Sequence, residues 1–164
     1  MGFNLAEINE AIAAAIPERE CIVLRNRRLS WQDFNLRTRR LANFLISQGL
    51  GCHQERAALQ NFESGQTHLG IYLYNGNEYL EGMVGAYKAR VAPFNVNYRY
   101  VENELIYLLN DADCHVLIYH ARFAPTLQRI RSEACPPQCQ DDSGRPSGSL
   151  RNQSRVGHVS PVFG

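Results

Sequence analysis

A chain of 164 residues, 45% of them apolar, has the size and composition of one ordinary globular domain. Its 17 Lys and Arg against 16 Asp and Glu leave a net charge of +1, which excludes a general polyanion binder. No apolar run is long enough to cross a bilayer and no leader with a cleavage site opens the chain, so the five cysteines are expected to be free thiols in a reducing cytoplasm.

In chain order, Leu5, Ile8, Ile12, Ala15 and Ile16 lie on one face of an amphipathic helix that Pro17 stops. Cys21–Leu24 is a short strand, and the basic Arg25-Asn26-Arg27-Arg28 turns the chain back into Leu29. Ser30 with Asp33 three residues later is an N-cap signature. The helix that follows buries Phe34, Leu41, Ala42 and Leu45 and ends at Gly49. Arg27, Arg28, Arg37, Arg39 and Arg40 cluster here, and a solvated helix face accounts for them better than nucleic-acid binding. Between Leu50 and His68 the chain is polar, with a helical turn or short strand expected within Arg56–Gln60. Cys52, His53 and His68 fit no common metal-ligand spacing, so this stretch reads as a surface loop.

From Leu69 to Tyr119 the pattern is strand, helix, strand, helix, strand. Leu69–Tyr74 is an apolar, aromatic strand, broken by Asn75-Gly76-Asn77. Glu78 and Glu81 open a helix whose Leu80, Met83, Val84 and Tyr87 form an apolar stripe. Beside the stripe run Gly82, Gly85, Ala86 and Ala89, which suit a helix lying close against a sheet. Val91–Val96 is the next strand, Tyr98–Tyr100 its loop, and Val101, Leu105, Leu108 and Leu109 share a face of the next helix. His115–Tyr119 is the third strand, and another helix starts between His120 and Arg131. Two helical crossovers imply parallel strands in a layered α/β sheet. Ligands then collect beyond the carboxyl ends of the strands, at Asn75-Gly76-Asn77 and Asn97-Tyr98-Arg99. His115 and His120 flank the third strand and read as structural or surface groups.

These residues carry a resemblance. Arg28–Phe34 and Arg40–Leu50 are followed by Tyr74-Asn75-Gly76-Asn77-Glu78-Tyr79, Gly85-Ala86-Tyr87-Lys88-Ala89, Pro93–Tyr100 and Glu104-Leu105. The ordered series resembles the adenylate-forming acyl-CoA synthetases, in their bacterial fatty-acyl-CoA ligase branch, over about Leu5 to Arg131. The resemblance implies a three-layer α/β partial domain belonging to the large N-terminal domain of such enzymes. It also implies a reaction in which a carboxylic acid and ATP give an acyl-adenylate and pyrophosphate, after which coenzyme A displaces AMP. ATP, Mg²⁺ and coenzyme A are the cofactors of that family, and fatty acids or sterol side-chain acids are its substrates. Arg99 stands where some relatives hold the phosphates of coenzyme A. A packing and capping role for Arg99 and Tyr100 is the competing reading.

The family's remaining motifs are missing from the sequence: the Ser/Thr/Gly-rich phosphate loop ending in Lys-Gly, the aromatic-Thr-Glu motif, the ribose-binding aspartate and the C-terminal-domain lysine. Ser64-Gly65-Gln66-Thr67 lacks the lysine, and Ser143–Ser149 lies in a tail of different composition. Residues 1–131 are therefore expected to be the ligase part, cut before the active site, with no catalytic and no metal-binding residue of its own. Residues 132–164 are expected to be a disordered, non-homologous tail, consistent with a frameshifted gene. Within that tail Cys135, Cys139 and His158 make only a loose metal-knuckle pattern, and Asn152-Gln153-Ser154 is a sequon without meaning unless secreted. The expectation is a chain inactive by itself, or a non-catalytic module that pairs with a ligase-like partner or with its own copies.

Overall fold

A computed structural model describes residues 4–134, which fall into two compact units. The tail and its cysteines lie outside the described residues.

The first unit runs to Thr67 and resumes over Asn75–Pro93. It contains α1 (Leu5–Ala15), the antiparallel pair β1 (Glu20–Leu24) and β2 (Arg27–Ser30), α2 (Trp31–Ser47) and α3 (Asn77–Lys88). The α2 start is the expected capping box: Ser30 Oγ accepts the Asp33 N–H at 3.1 Å while Asp33 accepts the Ser30 N–H at 3.2 Å. Its end is a Schellman turn. Gly49 takes φ +74°, its N–H donates to Ile46 O, and the Leu50 N–H donates to Leu45 O. Phe34, Leu41, Ala42 and Leu45 are buried as their spacing predicts.

Two helix faces differ from expectation. On α1 the buried residues are Ala6, Asn9 and Ala13, while Leu5 is 60% and Ile16 40% exposed. On α3 the small residues Gly82, Gly85, Ala86 and Ala89 are buried, while the apolar stripe is only partly covered, Leu80 being 47% exposed and Met83, Val84 and Tyr87 half-buried. Small side chains win because they let helix backbones approach closely. A Cβ on Gly85 would stand 2.7 Å from Leu41 Cδ2, so the close neighbour is helix α2 and not a sheet.

Glu10 fastens the same faces. Its carboxylate accepts from Arg39 Nε at 2.9 Å on α2 and pairs with Lys88 Nζ at 2.7 Å on α3. The Arg39 guanidinium, reinforced by Lys88 and Asn35 against the opposing effect of burial, holds the Glu10 carboxyl down at about 2. A depressed carboxylate pKa contributes stability above its unfolded value and loses it as pH falls. Wild type should therefore lose about 1–2 kcal/mol, after discounting for solvent screening, as pH drops from about 5 towards about 2. Urea midpoints across that range should fall further in wild type than in Glu10→Gln, where Glu55 and Glu102 still lose their arginine pairs.

The polar connection after α2 closes on itself, as an isolated bridge between Cys52 and Gln66 with a 3₁₀ turn at Arg56–Ala58. Arg56 Nη1 and Nη2 donate to the carbonyls of Gln60, Glu63 and Asn61. Four of the five arginines of the basic cluster are paired: Arg27 with Glu78, Arg28 with Glu20, Arg37 with Glu81 and Arg39 with Glu10. Alternating signs leave no cationic stripe along these residues.

The second unit comprises His68–Tyr74 and the described residues from Phe94 on. Its sheet has strand order β4-β3-β5, with β3 at His68–Tyr72, β4 at Ala92–Asn95 and β5 at Cys114–Tyr119. β3 and β5 are parallel, Leu69 opposite Val116 through Tyr72 opposite Tyr119. The Val96 N–H donates to Ile71 O beside the second crossover neighbour. Pro93 lies on the edge strand β4, where a missing N–H is tolerated. Between β4 and β5 runs α4 (Glu102–Asp111), and a 3₁₀ turn (Ala121–Phe123) leads into α5 (Ala124–Ile130). Tyr72, Val96, Leu105, Leu109, Leu117, Phe123, Leu127 and Ile130 form the core. Val101 departs from its expected helix face: it precedes α4, is 58% exposed, and its N–H donates to the Glu104 carboxylate at 2.9 Å.

Candidate functional site

The carboxyl ends of the second unit's strands meet in an aromatic cluster. The Tyr74 ring, just past β3, lies 5.1 Å from Tyr98 in the loop after β4. It is also 5.2 Å from His120 and 5.1 Å from Phe123, both beyond β5. Phe123 in turn stacks on the buried Tyr72 at 4.1 Å, and the Tyr72 hydroxyl donates to the Tyr100 carbonyl at 3.4 Å. Burial pushes the Tyr72 phenol up, with Tyr74 and Glu102 adding to the effect. His120 Nδ1 accepts the Arg122 N–H at 3.1 Å, capping the turn that carries Phe123. His120 thus has a structural role, as its position beside the strand suggested.

Arg99 sits on this cluster's rim. Its N–H donates to Asn97 Oδ1 at 3.0 Å, and its guanidinium lies over the Tyr98 ring, 5.6 Å from the centroid. Among the described residues no carboxylate pairs with it. An exposed, unpaired guanidinium at the carboxyl end of parallel strands can receive a phosphate.

The other loop singled out by its position is used differently. Gly76 caps α3, and Asn77 lies inside that helix, 2% exposed, its Nδ2 donating to Glu81 Oε1 at 2.9 Å. Glu81 is fully buried and accepts from Arg37 Nε at 2.8 Å and Nη2 at 3.2 Å. Expected only as a helix-start carboxylate, Glu81 is also the centre of a buried polar network. Its partner lies 44 residues away in sequence, so no local signal marks it.

The polar connection carries no comparable site. Its cleft of about 450 Å³ is lined by Cys52, Glu55, Arg56, Tyr87 and Arg90, among others. The two arginines are already engaged, Arg90 by Glu55 at 2.8 Å and Arg56 by its own loop carbonyls. His53 Nε2 is hydrogen-bonded to Thr67 Oγ1 at 2.9 Å, and His68 Nδ1 donates to the Ala112 carbonyl at 2.7 Å. Among the described residues no three His, Cys, Asp or Glu side chains come together to hold a metal ion. Nor is any described helix long and apolar enough to cross a membrane. Burial pushes the Cys114 thiol up to about 11, which keeps it unreactive at neutral pH.

Comparison with known proteins agrees with this architecture. Over 131 residues the chain is 53% identical to the medium-chain acyl-CoA ligase Mig of Mycobacterium avium, covering 80% of this chain and 24% of that protein. It is 32% identical to the 3-oxocholest-4-en-26-oate–CoA ligase of Rhodococcus rhodochrous, over 79% of this chain and 21% of that protein. The chain therefore spans less than a quarter of the length of these two relatives. The fold matches the N-terminal domain of FACL13 from Mycobacterium tuberculosis with a TM-score of 0.69 at 21% identity, over 94% of this chain and 36% of that one. The AMP-binding enzyme family model matches residues 9–155. This chain belongs to the AMP-binding enzyme family.

Proposed function

We propose that these residues form the front of an ATP-dependent fatty-acyl-CoA ligase, and that by themselves they catalyse no turnover. The observation that carries the reading is the 53% identity to a medium-chain acyl-CoA ligase. Joined to the remaining motifs of the family, they would serve the conversion of acid, ATP and coenzyme A into acyl-CoA, AMP and pyrophosphate. The substrate would be a medium- or long-chain fatty acid or a sterol side-chain acid, in keeping with what the relatives are named for. The setting would be cytoplasmic. We place the end of the ligase part near Arg131, where the composition changes, although the family match runs on to residue 155, and reading the gene's other two frames beyond codon 131 tests this boundary.

The donors on the page fit the proposed cofactors unequally. ATP has no fit here, because the sequence lacks the lysine-ended phosphate loop that would cradle its phosphates. Coenzyme A does fit at one point, the unpaired guanidinium of Arg99, which would hold a phosphate of that cofactor. When bound, coenzyme A supplies the thiol that takes the acyl group. The contribution of this chain is to grip and orient the cofactor's anionic part.

Acid-dependent ATP–pyrophosphate exchange tests the reading. The 164-residue chain should stay at background with fatty acids of any length, and exchange above background would overturn it. A second reading, a non-catalytic module pairing with a ligase-like partner or another copy, is favoured by the exposed Leu5, Ile8 and Ile16 on α1. Co-purification with a ligase subunit supports it, and a monodisperse, stable monomer argues against it.

A further inference from the structure

We infer that Tyr98 is a positioning residue that holds the Arg99 guanidinium ready for a phosphate. The inference rests on the proposed role of Arg99 towards coenzyme A. Arg27, Arg28, Arg37, Arg39, Arg90 and Arg129 each face a glutamate. Arg99 has no such partner among the described residues, yet both ends of its side chain are held. At the backbone end, the Arg99 N–H donates to Asn97 Oδ1 and the Tyr100 N–H donates to Asn97 O, each at 3.0 Å, which closes the turn. At the other end the guanidinium lies 5.6 Å from the centroid of the Tyr98 ring.

That ring is itself anchored. Tyr98 packs on Tyr74 at 5.1 Å, Tyr74 on Phe123 at 5.1 Å, and Phe123 on the buried Tyr72 at 4.1 Å. A line of aromatics therefore connects an exposed cation to the core. A guanidinium within cation–π reach of a ring is held there without using up its N–H donors, which stay available for an incoming anion. Holding the side chain beforehand also reduces the rotamer freedom lost when the anion binds. Tyr98 needs its ring for this and not its hydroxyl.

The test is an NMR titration of the 164-residue chain with coenzyme A, alongside Tyr98→Phe, Tyr98→Leu and Arg99→Ala. Tyr98 is 36% exposed and belongs to a loop, so these variants should keep the fold, which circular dichroism checks. Tyr98→Phe should bind as wild type, Tyr98→Leu should bind about two- to fivefold more weakly, and Arg99→Ala about tenfold or more. Without ligand, the Arg99 Nε–H signal should be ring-shifted in wild type and Tyr98→Phe and move to the free-arginine position in Tyr98→Leu. If Arg99→Ala weakens binding while Tyr98→Leu does not, the positioning role is overturned and the reading of Arg99 stands. If Arg99→Ala binds as wild type, or wild type shows no coenzyme A-dependent shifts, the reading of Arg99 fails and the inference with it.

Discussion

Replacing Glu81 by alanine should destabilise the first unit by about 3–5 kcal/mol, a large part of the about 5–15 kcal/mol that a whole domain possesses. The Glu81 side chain is 0% and that of Arg37 12% exposed, so removing the carboxylate takes two hydrogen bonds and an opposite charge from a guanidinium largely shielded from water. Asn77 Nδ2 loses its acceptor in the same step. Desolvation sets the size of the effect, because breaking a buried pair costs far more than the pair contributes when intact. Substituting both ends, Arg37→Leu with Glu81→Leu, should therefore be milder than Glu81→Ala alone, with recovery incomplete because Asn77 Nδ2 stays without its acceptor. Urea unfolding of the three proteins measures this. A Glu81→Ala midpoint within error of wild type would mean that water reaches the pair.

Leu105→Ala should cost the second unit about 2–5 kcal/mol. Leu105 is 0% exposed on α4, within the core that also holds Tyr72, Val96 and Leu117. The parallel sheet behind it relaxes poorly around a void, since the Gly70 position is already so close that a Cβ would lie 2.6 Å from Leu117 Cδ1. Hydrogen exchange should show the loss in the β3 and β5 amides. Unchanged protection of those amides would indicate that the cavity collapses.

What was legible in the sequence was mostly local. Ser30 with Asp33, and Gly49 after a helical stripe, each settle a helix end within a few residues, and both motifs form as read. The β-α-β order was legible because crossovers of this length leave parallel pairing as the ordinary solution, and it placed Arg99 at the carboxyl edge. The buried side of α1 was not legible, and on α3 the small ridge was legible but not the helix it packs on. Apolar periodicity points to Leu5 and Leu80, yet close approach of backbones rewards Ala6, Ala13 and Gly85, and only the neighbouring helix reveals that. Glu81 and the aromatic cluster were hidden for the same reason, their partners being far away along the chain. Tyr74 meets His120 only after the sheet has assembled.

The most direct measurement is an exchange of parts. Residues 1–131 would replace the matching front of the Mycobacterium avium medium-chain ligase, to which the chain is 53% identical over 131 residues, and acid- and coenzyme A-dependent AMP release would be followed. A working hybrid beside an inert isolated chain is the expected result. A folded hybrid that releases no AMP, or an isolated chain that does, would contradict the account.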